Sequence, residues 1–93
     1  MWPLLTSIAL AQAPTELTIW HAYRGEERAA LETVLQRYDD AHEDITVVPL
    51  ALPYDNFASK LEAAAPHGNG PDLFIYAHER IGSWQATGLV VPI

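Results

Sequence analysis

The chain has 93 residues, enough for one small domain and no more. Hydrophobic residues make up 49% and charged residues 18%, the balance of a globular rather than a disordered chain. Twelve acidic against five basic side chains give a net charge of −7, which repels nucleic acid and anionic membrane, and the absence of cysteine excludes disulfides, thiolate metal sites and cysteine nucleophiles.

The first thirteen residues carry no charged side chain. Leu4, Leu5, Ile8, Ala9 and Leu10 form an apolar run, and Ala11-Gln12-Ala13 follows with Pro14 just beyond. That is the hydrophobic and cleavage portion of a secretory signal, so residues 1–13 are expected to be a partial signal peptide. No stretch approaches the ~20 apolar residues that span a bilayer, so no direct membrane insertion is expected after cleavage.

Leu17-Thr18-Ile19-Trp20 is a short β-branched and aromatic run, the signature of a buried strand, and Arg24-Gly25 breaks it. From Glu26 the period changes. Leu31, Val34, Leu35 and Tyr38 fall at i, i+3, i+4 and i+7, predicting a helix over Glu26–His42 with Glu26 and Glu27 in its first turn. Ile45–Leu52 predicts a second strand. Pro49 lacks a backbone donor, which places it on an edge or near the strand's end. Phe57, Leu61 and Ala64 or Ala65 predict a second helix that Asp55 would cap and that stops before Pro66. His67-Gly68-Asn69-Gly70-Pro71 is a loop, and Leu73–Ala77 predicts a third strand, apolar throughout. A short helical turn over Arg80–Ala86 ends at Thr87-Gly88.

Apolar strands alternating with amphipathic helices predict an α/β fold, a β-α-β-α-β parallel sheet with its first strand in the centre. Ligands of open parallel sheets bind beyond the carboxyl ends of the strands. Trp20, His21, Tyr23 and Arg24 lie there after the first strand, Tyr54 after the second, and Tyr76, His78, Glu79 and Arg80 after the third. Flat aromatic faces suit the C–H face of a sugar ring, and charged hydrogen-bonding groups suit its hydroxyl rim. A Trp at a strand end is also a common core residue, and Glu79 and Arg80 also suit a solvated pair. His21 and His78 show no metal-ligand spacing, so neither metal nor cofactor is expected. A small α/β hydrolase or transferase using Glu79 and a His would need a nucleophile elbow or a cofactor loop, and the sequence has neither.

The run Gly68-Asn69-Gly70-Pro71-Asp72, then Leu73–Ala77, His78-Glu79-Arg80, Ile81-Gly82 and later Gly88-Leu89, resembles the maltose/maltodextrin-binding group of extracellular solute-binding proteins. Leu17–His21 followed by an amphipathic helix resembles the same sugar-importer family, and the likeness covers nearly all of Glu16–Ile93. The resemblance implies residues 14–93 as the incomplete N-terminal lobe of a two-lobed binding protein. It implies carbohydrate binding without catalysis, export to the periplasm or exterior, and delivery to the membrane permease of an ABC importer. It places Tyr76, Glu79 and Arg80 on the sugar. Tyr76 stands where the maltodextrin-binding relatives carry an indole, and Tyr23-Arg24-Gly25 replaces a polar pair. In glycerol-phosphate-binding relatives Tyr54 and Glu79 match ligand contacts. Trp20 and Tyr23 complete the expected ligand-binding set. The remaining alternatives are an enzyme fragment or a non-functional gene remnant.

Overall fold

The computed structural model describes residues 13–93; the expected signal segment up to Gln12 lies outside the described residues. Strand β1 (Thr15–His21) leads into helix α1 (Gly25–Ala41), then β2 (Ile45–Ala51) and α2 (Tyr54–Ala64). A 3-10 turn over Ala65–His67 precedes β3 (Leu73–Phe74), and a second over His78–Arg80 runs into α3 (Ile81–Ala86). The three strands form one parallel sheet in the order β2-β1-β3, with the first strand central as the connections require. Pro49 sits opposite Ile19 on edge strand β2, where its missing donor costs no ladder bond. One outward N–H of that edge, at Val47, is taken by the Asp39 carboxylate of α1 at 2.8 Å.

Successive residues of a strand point to opposite faces, and β1 shows what each face holds. Trp20 packs edge-on to Phe57 of α2, with ring centroids 6.4 Å apart, while His21 faces Glu32 of α1. The core sits on the α2 side: Trp20, Phe57, Ala58, Leu61 and Trp84 are buried together there. Helix α1 contributes no buried residue to the opposite face.

The glycine-rich segment before β3 explains itself residue by residue. Gly68 turns the chain at φ +76°, the left-handed region that favours glycine. A Cβ on Gly70 would stand 2.9 Å from the Ala65 Cα, so only glycine lets the loop pass this close to the end of α2. Asp72 then clamps the central strand twice: its carboxylate accepts the Thr18 N–H at 2.8 Å, and its own N–H donates to the Thr18 carbonyl at 2.9 Å. That clamp sets the register in which Leu73 faces Ile19.

Two local expectations are corrected and a third is refined. The third strand ends at Phe74, not Ala77. After a last bond from the Ile75 N–H to the Trp20 carbonyl at 3.0 Å, the chain leaves the sheet and lays Tyr76 against Phe57 and Trp84. Asp55 does not cap α2; extended Pro53 holds that position without a side-chain bond, and Asp55 lies in the first turn, where the helix dipole favours its charge. The second helix does stop at Ala64, but Pro66 continues the backbone as a 3-10 turn, since proline is tolerated at the start of a new helical segment.

Candidate functional site

The carboxyl ends of the three strands surround an open hollow of about 730 Å³. Tyr23 and Arg24 reach it from the β1–α1 turn, Glu27 from the first turn of α1, Tyr54 from the start of α2, and Tyr76 and Ala77 from the segment after β3. Each is there because a strand ends beneath it. A second hollow of about 620 Å³ adjoins the first across Tyr23, Arg24 and Tyr54 and is also lined by Arg28 and Asp55.

Aromatic rings form its firmest part. Tyr76 stacks on Phe57 at 4.8 Å with the planes 8° apart, leans on Trp84 at 5.7 Å, and stacks with Tyr54 at 5.2 Å and 23°. The stack thus runs from a wholly buried Phe57 to a Tyr54 that is 53% exposed. A platform anchored in the core offers a ligand aromatic surface that is already ordered, so little side-chain entropy remains to be lost on binding. The Tyr54 hydroxyl is pushed above its usual pKa, first by hydrogen bonding and charge repulsion from Tyr76, then by slight desolvation and the Glu79 carboxylate, with Arg80 opposing. Tyr54 therefore stays a neutral phenol, able to donate and to accept a hydrogen bond.

Of the residues singled out in the sequence, Tyr23, Tyr54 and Tyr76 come together on this hollow. Glu79 and Arg80 do not line it; both are exposed in the 3-10 turn beyond Ala77, with Arg80 Nη1 3.8 Å from Glu62 of α2. They lie near enough to bias Tyr54. Trp20 is 8% exposed and part of the core beneath the rim, because the alternation of β1 turns it toward α2. Sequence reasoning passed over Arg24 as a site residue and missed Glu27. Both follow from helix geometry, since a helix that starts at a strand's carboxyl end brings its first turn to the same rim.

The adjacent His21 is wholly buried. Its Nδ1 accepts the Tyr23 backbone N–H at 3.1 Å, and its Nε2 faces Glu32 Oε2 at 3.6 Å. Among the described residues no three His, Asp or Glu side chains gather to hold a metal ion, and no helix is long and apolar enough to cross a membrane.

Comparison with known proteins bears on what such a rim is for. A maltotriose-binding protein from Pyrococcus abyssi is 33% identical over 78 residues, which are 84% of this chain and 17% of that protein. The cyclic alpha-maltosyl-1,6-maltose binding protein from Arthrobacter globiformis superposes with a TM-score of 0.72 at 25% identity, covering 83% of this chain and 19% of that one. The maltose/maltodextrin-binding domain MalE from Bdellovibrio bacteriovorus, bound to maltotriose, gives a TM-score of 0.74 at 24% identity, over 80% and 19% of the two chains. CpMnBP1 with mannotriose bound gives 0.76 at 23% identity, over 84% and 20%. At these lower identities the likeness is one of fold. The chain spans about a fifth of the length of each of these proteins. The family model for bacterial extracellular solute-binding proteins matches residues 22–93, and the chain belongs to that family.

Proposed function

We propose that this chain supplies one wall of a carbohydrate-binding cleft in an exported solute-binding protein. The observation that carries this is the Tyr54–Tyr76 stack, anchored on Phe57 and opening onto a hollow that Arg24 and Glu27 also line. Aromatic surface beside a few placed polar groups is what a sugar requires: C–H faces pack on rings and hydroxyls bond to the charged rim. Glu79 and Arg80 are the proposed hydroxyl partners at the far end, with Arg80 giving up a 3.8 Å contact with Glu62 that is exposed and weak. The related maltotriose-binding protein makes a short neutral oligosaccharide the leading ligand class.

In this proposal the chain performs no catalytic step. Residues 14–93 belong to the N-terminal lobe of a longer architecture, residues 1–13 serve export, and the loaded protein hands its sugar to the permease of an ABC importer. A single wall binds weakly, with a Kd on the order of millimolar. Titrating the 15N-labelled chain with maltotriose should shift the amides of Tyr23, Tyr54 and Tyr76 together, and Tyr54→Ala should abolish the response. Shifts scattered over the surface, or none up to saturating sugar, would overturn the proposal.

A further inference from the structure

Apart from the Phe57–Tyr76–Tyr54 stack, Tyr23 reaches the hollow on a turn between β1 and α1, its ring tilted at 31° against the His21 ring with centroids 5.9 Å apart. Its backbone is held by a bond of another kind, from the Tyr23 N–H to Nδ1 of the wholly buried His21 at 3.1 Å. We infer that His21 is a positioning residue for the ligand-facing turn, fixed in one tautomer by Glu32 so that Nδ1 can receive the Tyr23 N–H. Calling the turn ligand-facing rests on the proposed function; the contact itself does not.

Two independent constraints on the imidazole agree. A backbone N–H can only donate, so Nδ1 must present its lone pair, and the neutral ring then carries its proton on Nε2. At the other end Nε2 faces the Glu32 carboxylate at 3.6 Å, and a negative charge there favours a proton on the nitrogen that faces it. Glu32 is itself steadied by Arg28, one helical turn earlier, whose Nε lies 3.2 and 3.3 Å from its two oxygens. Arg28, Glu32, His21 and the Tyr23 amide thus form one line from the exposed surface of α1 to the rim. The contact to Glu32 is longer than a hydrogen bond, and Nε2 is a buried donor with no partner within bonding distance. A buried polar atom is costly to leave unpaired, and a side chain chosen only to fill that space would be apolar. A histidine serves here because it has an acceptor on one side and a donor on the other.

The two halves of the ring can be tested separately. Asparagine places an acceptor oxygen near the position of Nδ1, whereas glutamine extends its amide toward the position of Nε2. In the full chain, nitrogen-15 spectra of the His21 ring should show an unprotonated Nδ1 and a protonated Nε2. His21→Asn should leave hydrogen exchange of the Tyr23 amide within about twofold of the parent. His21→Gln should speed it by roughly tenfold, the loss of one hydrogen bond. A role in packing alone would move both variants alike. A proton on Nδ1 in the parent, or equal exchange in the two variants, would overturn the inference. The readout needs no sugar, so failure of the carbohydrate proposal can produce neither result.

Discussion

The two faces of the sheet are built to different standards. On the α2 side Phe57 and Leu61 are wholly buried, Trp84 is nearly so, and four aromatic rings run in sequence from Trp20 through Phe57 and Tyr76 to Tyr54, with Trp84 against Tyr76. On the α1 side a helix of 17 residues buries none of them, and Val34 and Tyr38 remain 59% and 43% exposed. What the α1 face buries comes from β1 itself: Ile19 at 7% exposure and a polar side chain, His21. The rim inherits this division. Tyr54 and Tyr76 are positioned by packing on the core, whereas Tyr23 is positioned by a hydrogen bond to His21 and a tilted contact with its ring, and Arg24 by the start of a helix.

The largest test of that division is a matched pair of truncations. Phe57→Ala should cost about 3–5 kcal/mol, because the cavity it leaves lies among rings that cannot collapse into it. Leu35→Ala, on a half-buried position of α1, should cost less, on the order of 1–2 kcal/mol, since the site borders solvent and leaves no enclosed cavity. Denaturant unfolding of both variants measures the difference. Equal costs would mean that the two faces are equivalent in stability despite their different burial.

Next in size is the clamp between β1 and β3, which lies within the sheet that separates the two faces. Asp72→Ala removes a charged acceptor from the Thr18 N–H and should destabilise by about 1.5–3 kcal/mol. Its mark should be local, with faster amide exchange at Thr18 and along β3. Loss confined to the far end of α1 would show that Asp72 does not set the register. This residue also shows what the sequence could convey. The order of strands and helices, the central place of β1 and the parallel sheet were all legible, because period and punctuation are local signals. The Gly68–Asp72 segment was legible as a family motif, yet its glycines and aspartate serve the backbone: a left-handed turn, a close approach and a strand clamp. Its resemblance therefore speaks for the fold more than for the ligand.

The rim was legible less evenly. The tyrosines were found because they follow strands, but no local signal tells a rim aromatic from a core one. Trp20 lies in the core beneath the rim, a direction that depends on which face of the sheet α2 covers. The end of β3 was hidden for a related reason: Leu73–Ala77 is apolar throughout, and only the packing of Tyr76 on Phe57 decides where the chain leaves the ladder. Glu79 and Arg80 stand apart from the hollow because the 3-10 turn at His78–Arg80 carries them past it.

The smallest expected effect lies where the packed face meets solvent. Tyr54 has its pKa raised, chiefly by the Tyr76 hydroxyl. A folded-state pKa above the unfolded value of about 10 means that the fold favours the protonated phenol. That preference is fully present below pH ~10 and is lost as pH rises through the folded pKa. The side chain is exposed, so the contribution to stability is slight, and the ring itself is the better reporter. Following Tyr54 ring resonances with pH should give a midpoint above that of an unstructured tyrosine. Tyr76→Phe keeps the ring in the stack and removes only the hydroxyl, so the midpoint should fall back toward the ordinary value while the fold survives. An unchanged midpoint in Tyr76→Phe would mean that Glu79, not the packed Tyr76, governs the exposed phenol. The rim would then be tuned by its charged turn rather than by the core that supports it.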